Sequence, residues 1–110
     1  MDNTKGDNYF LAKIRKDVEY IEKQMKGVSI EALERNEMLM DSMMFRMIQI
    51  SESSKKLSEE FRQQRKDVPW GMLFGLRNRI VHDYGNVDFG VIYEVLTEDM
   101  PALKEILSSW

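Results

Sequence analysis

From Met38 to Phe61 apolar residues recur at steps of three and four: Met40, Met43, Met44, Met47, Ile50, Leu57 and Phe61. That spacing lines one face of a helix, and so wide an apolar face has to be covered by other helices. Ser51, Ser53, Ser54 and Ser58 let a neighbouring helix come close. The methionines read as flexible core filler rather than as a cofactor pocket. The same period appears in Phe10, Ile14, Val18, Ile21 and Met25, then in Met72, Leu73, Leu76 and Ile80. It returns in Phe89, Ile92, Val95 and Leu96, and again in Leu103, Ile106 and Leu107. Strand-like alternation never lasts more than a few residues, so the expected class is all-α.

Local signals place the boundaries of these helices. Asp7 or Asn8 is the expected cap of the first helix, Gly27 its end and Ser29 the cap of the next. A bend is expected near Arg35–Asn36, followed by one long helix through Phe61. That helix stops near Lys66–Pro69. Pro69 and Trp70 open another, capped by Asp67 or Val68, which runs on to Gly85 and Asn86. Asp88 caps the last element, which Pro101 must bend or restart. One domain over 1–110 is expected, with residues 1–6 frayed.

Composition narrows the functional classes. The absence of cysteine removes disulfides and thiolate zinc sites. A single histidine argues against a histidine-rich metal centre, and no metal or cofactor is expected. The net charge of −3 does not suit broad, non-specific nucleic-acid binding, which depends on phosphate neutralisation. Basic residues gather mid-chain (Lys55, Lys56, Arg62, Arg65, Lys66, Arg77, Arg79), and the last third is acidic. No apolar run is long enough to span a membrane, and no basic-then-apolar leader opens the chain, so a cytoplasmic location is expected.

The stretch Arg77-Asn78-Arg79-Ile80-Val81-His82-Asp83-Tyr84 carries the candidate chemistry. On a continuous helix Arg77 would fall inside the apolar stripe of Leu73, Ile80 and Tyr84, and would need a carboxylate, a partner helix or an anionic ligand. Arg77 and His82 would stand about 140° apart, so two copies of the chain or a loosened helix end would be needed to join their tips. Histidine exchanges protons near neutrality, and arginine grips phosphate with two donors. Asparagine can orient either. Together these groups meet the needs of metal-independent RNA cleavage. Spacing alone favours a plainer role, that of answering the last carbonyls of a helix.

Arg77-x4-His82-x-Tyr84 resembles the Arg-x4-His-x-Tyr signature of the HEPN superfamily, and more narrowly that of the HepT-like toxins. Leu57-Ser58-Glu59-Glu60, Val68-Pro69-Trp70, Gly75-Leu76, Val87-Asp88 and Leu96 through Leu103 agree with it. The resemblance implies an up-and-down bundle of four to five helices that forms a homodimer, with both motifs facing one cleft. It implies a metal-independent endoribonuclease, the toxin of a toxin–antitoxin pair, acting on RNA and not DNA. Arg77 and His82 would be the catalytic pair and Asn78 a polar assistant. An MntA-like nucleotidyltransferase antitoxin would transfer AMP to Tyr84. Arg79, Glu52 and Asp83 are candidates for RNA contact or for supporting the pair, with Glu52 the expected partner of Arg77. Asp83 stands where many relatives carry glycine, and Ser51-Glu52-Ser53-Ser54 where they often carry Gly-Glu-Ala-Ala. The alternatives are a non-catalytic HEPN module that binds nucleotide or a partner, and a structural helical dimer with Arg77 salt-bridged internally.

Overall fold

The computed structural model describes residues 6–81 and 86–109. Its helices are α1 (Asp7–Met25), α2 (Ile30–Arg35), α3 (Glu37–Lys56), α4 (Glu59–Gln64), α5 (Trp70–Phe74), α6 (Leu76–Ile80), α7 (Phe89–Glu94) and α8 (Met100–Ser108). A π-helical turn, Val95–Asp99, joins α7 to α8. The all-α class is as expected. Among the described residues no helix is long and apolar enough to cross a membrane.

α1 is the central member. It meets α3 through Asp17–Arg46 and Tyr20–Ser42, and numbers that rise on one side fall on the other, so the two helices are antiparallel. Arg15 donates to the Leu107 carbonyl, and Lys104 donates to Glu22, so α8 is antiparallel to α1 as well. The Glu22 carboxylate raises the pKa of the Lys104 ammonium above its usual 10.5. Ile14, Val18 and Ile21 of α1 and Met43, Met47 and Ile50 of α3 are buried, each contributing roughly 1.5–3 kcal/mol. Met40, Met43 and Met47 are buried and Met44 packs against them, as their spacing implied, whereas Met38 is 81% exposed.

One polar network crosses this interface. Asp17 is buried, and its Oδ1 accepts from Arg46 Nη1 at 2.7 Å. The Arg46 guanidinium also lies 3.9 Å over the Tyr20 ring, and the Tyr20 hydroxyl accepts from Ser42 Oγ at 3.2 Å. In the sequence Asp17 reads as one more charge on the outer face of α1. Its burial follows from the approach of α3.

Several boundaries differ from expectation, each for a local reason. Gly6, not Asp7 or Asn8, is the cap of α1. The Asp7 carboxylate is engaged elsewhere, accepting from Ser58 N at 2.8 Å and Ser58 Oγ at 2.7 Å. Ser58 in turn caps α4 through Phe61 N. The expected long helix therefore ends at Lys56, with Leu57 extended, and α4 is a separate element. Gly27 does close the first helix, with φ +73°, just beyond the Lys26 C-cap. Ser29 caps α2 as expected, and Asn36 ends α2 while capping α3. Pro69, rather than Asp67 or Val68, is the cap of α5. Asp88 caps α7 through Val91 N. Pro101 sits in the first turn of α8, immediately after the π turn, so the element is restarted there. An α-helix would need a donor at position 101 for the Thr97 carbonyl, and proline has none.

Arg46→Ala leaves the buried Asp17 carboxylate unpaired and should lower unfolding free energy by about 3 kcal/mol in urea titrations. Adding Asp17→Leu to an Arg46→Met background should recover most of that loss.

Candidate functional site

The far end of α3 fixes where the arginine-bearing segment lies. Ser51 and Ser54 are fully buried, and Ser51 Oγ donates to the Phe74 carbonyl at 3.3 Å. Small side chains here allow α5 to lie directly on α3. Trp70 anchors the start of α5, its indole N–H donating to the carbonyls of Arg62 and Arg65. Arg62 stacks over Phe74 at 5.2 Å and donates to the Leu57 carbonyl. Gly75 then separates α5 from α6, with its φ at −92° and ψ at 5°. A methyl group at Gly75 would stand 3.5 Å from the Gly71 carbonyl oxygen, an ordinary contact, so the break is not forced by space.

α6 contributes Leu76 and Ile80 to the core and turns Arg77 and Asn78 outward. Two sequence expectations are corrected here. The helix does not run on to Gly85: it stops at Ile80, and Val81 is extended, at φ −113° and ψ 117°. Val81 pairs with Val87 in an antiparallel bridge. An extended Val81 suits its branched side chain. The wheel drawn through residue 84 therefore does not apply. The second correction follows from the first. Arg77 does not sit in the apolar stripe but is exposed, and among the described residues its side chain has neither an ion-pair nor a hydrogen-bond partner. Glu52, its expected carboxylate, is exposed and pairs with Lys55 at 3.7 Å. Among the described residues no carboxylate forms the internal salt bridge to Arg77 that the structural alternative calls for.

Arg79 lies differently. Its Nη1 donates to Asp99 Oδ2 at 3.0 Å and its Nη2 to Glu94 Oε1 at 3.2 Å. The structure thus brings Arg77, Asn78 and Arg79 together on one short helix, two of them open to solvent and the third tied to the downstream helices. His82, Asp83 and Tyr84 lie outside the described residues. The Glu94–Asp99 pair was not picked out in the sequence, because their spacing of five residues is not a helical neighbour spacing.

Beside Val87 a groove of about 430 Å³ is lined by Met40, Met44, Val87 and Phe89, with Glu34, Glu37 and Asp41 around it. Three carboxylates would repel a phosphate. Among the described residues no carboxylate pairs with the outward guanidinium of Arg77, a group that can make two donor bonds to phosphate oxygens.

The chain matches the family described as HepT-like, Ribonuclease HepT-like, over residues 14–110. A protein of Caldanaerobacter subterraneus subsp. tengcongensis named "Putative RNase" is 30% identical over 102 residues, 89% of this chain and 91% of the relative. A Methanocaldococcus jannaschii protein named "Gamma-glutamylcyclotransferase and putative RNase" is 31% identical over 96 residues, 87% of this chain and 43% of that protein. The "Probable ribonuclease HepT" of Thermococcus cleftensis is 33% identical over 55 residues, 50% of each chain. The match thus spans nearly the whole of the first relative and half or less of the other two. No solved structure gives a significant match.

The geometry separates stability from chemistry along α6. Arg77→Ala should leave unfolding free energy within about 0.5 kcal/mol of wild type, as befits an exposed side chain. Ile80→Ala, three residues on, should cost about 2–5 kcal/mol in the same denaturation experiment.

Proposed function

The chain belongs to the HepT-like ribonuclease family, and from that premise we propose that it is a metal-independent endoribonuclease, the toxin of a toxin–antitoxin pair. The observation that carries this reading is Arg77: an exposed guanidinium without a partner among the described residues, on the same short helix as Asn78 and five positions before the only histidine.

In this mechanism the RNA phosphate sits on Arg77, which stabilises the charge that builds on the phosphoryl oxygens as the 2′-oxygen attacks phosphorus. His82 takes the proton of the 2′-hydroxyl or returns one to the departing 5′-oxygen. One imidazole cannot serve both steps at once. A homodimer with both motifs in one cleft supplies the second. Support for the dimer comes from Phe45, 57% exposed, and Met38 seven residues before it on the same side of α3, an unusual cost for a chain that stays alone in water. Asn78 assists by holding the phosphate or the imidazole. An MntA-like nucleotidyltransferase antitoxin silences the enzyme by placing AMP on Tyr84, where a bulky anion takes the space and the charge partner intended for RNA. The protein works in the cytoplasm, where its RNA substrate is.

Cleavage of RNA in EDTA tests the central part. Wild type should cut, and Arg77→Ala and His82→Ala should each lose about 100-fold or more while remaining folded. Phe45→Glu should sediment as a monomer and lose cleavage with them. Equal cleavage by all four proteins would overturn the assignment, and folded wild type that cuts nothing would leave a nucleotide- or partner-binding module. For the antitoxin step, mass spectrometry after co-expression with such a nucleotidyltransferase should find one adenylyl group on Tyr84. An adduct on another residue, or none, contradicts it.

A further inference from the structure

Arg79 is held by two carboxylates that a regular helix would not bring together. Glu94 and Asp99 are five residues apart, and on an α-helix side chains at that spacing point about 140° away from each other. Here the turn between them is π-helical, with Met100 N donating to the Val95 carbonyl five residues back. A π turn winds less per residue than an α-helix, so residues five apart come closer to one face, which is how both carboxylates reach one guanidinium. The distances, 3.0 Å to Asp99 and 3.2 Å to Glu94, lie within the range of N–H···O hydrogen bonds.

The position of Arg79 gives this arrangement its consequence. α6 is five residues long, too short to hold its own geometry, and Arg77 and Asn78 project from it into solvent. Leu76 and Ile80 hold its apolar side to the core. Polar restraint from the described helices comes through Arg79, two residues from Arg77, just before Val81 turns into extended backbone. We propose that Arg79, gripped by Glu94 and Asp99 across the π turn, is a positioning residue that sets the orientation of α6 and so the place of Arg77. The inference rests on the ribonuclease reading. It assigns Arg79 to the protein's own carboxylates rather than to RNA, and it makes cleavage depend on two acidic residues on the last helical segments.

The test uses full-length wild type, Arg79→Ala, Arg79→Lys, Asp99→Asn and the Arg79→Ala/Asp99→Asn double variant. Two readouts are taken: RNA cleavage kinetics, and hydrogen exchange at the Val81 amide, which is bonded to the Arg77 carbonyl at 3.0 Å. Arg79→Ala and Asp99→Asn should each lower kcat about tenfold with KM little changed, because Arg77 is misplaced and not removed. The double variant should fall no further than either single one, as expected for partners in one interaction. Arg79→Lys, which keeps one cationic donor for Asp99, should recover part of kcat. Val81 exchange should quicken about tenfold in Arg79→Ala and in Asp99→Asn.

A rise in KM for Arg79→Ala with Asp99→Asn behaving as wild type would mean that Arg79 touches RNA directly, and would overturn the proposal. Unchanged Val81 exchange in both single variants would overturn it too. Should wild type cut no RNA, the ribonuclease reading falls, and the exchange comparison alone decides whether the clamp orders α6.

Discussion

The packing of α1 between α3 and α8 governs everything else in this chain. α1 buries Ile14, Val18 and Ile21 almost completely, and both neighbours run antiparallel to it. Apolar side chains alone would tolerate a shift of one helical turn at modest cost. The Asp17–Arg46 pair does not. Moved by a turn, the Asp17 carboxylate would lie unpaired among core residues, a cost of several kcal/mol. The register of α3 on α1 is therefore specified by charge, while its strength comes from apolar area. Asp7 at one end, bonded to Ser58, holds the same register from outside the core.

Once α3 is placed, its second flank decides where the chemistry can be. Buried serines rather than large side chains face α5, and the chain folds back there as two five-residue helices. Neither is long enough to be stable alone. Their order is imposed by Leu73, Leu76 and Ile80 in the core, by Trp70 at the start and by Arg79 at the finish. This division lets Arg77 and Asn78 stay out of the core, and among the described residues no carboxylate neutralises Arg77. An arginine pinned by an internal carboxylate would be a poor receptor for phosphate. Here Glu94 and Asp99 go to Arg79, and among the described residues Arg77, two positions earlier, has no carboxylate on its side chain.

Much of the helical framework is legible in the residues themselves. The apolar period marks α1, α3 and the last segments, Ser29 marks the cap of α2 and Asp88 that of α7, and Gly27 with positive φ marks the end of α1. What escapes a linear reading is what depends on distant partners. Leu57 looks like a further turn of α3, yet Ser58 is drawn out by Asp7, about fifty positions earlier, and starts a helix of its own. Leu76 and Ile80 fit a helix that continues, yet Val81 leaves it to pair with Val87. That one departure moves Arg77 from an inferred apolar stripe to the surface and removes the need for Glu52 beside it. Asp17 and Arg79 look like ordinary surface charges, and only the approach of α3 and the π turn gives them partners. The arginine–histidine motif itself stood out by composition, since no other short stretch concentrates so many groups able to bind or move charge.

The central claim is the proposal that Arg77, whose side chain has no partner among the described residues, takes an RNA phosphate. Titrating ¹⁵N-labelled protein with a short RNA carrying 2′-O-methyl groups, which cannot be cut, reads this directly. The account requires the Arg77 side-chain Nε–H signal and the amides of residues 77–81 to shift with saturating dose, and the response to vanish in Arg77→Ala. Saturable shifts confined to other parts of the bundle, with Arg77 unmoved, would contradict it.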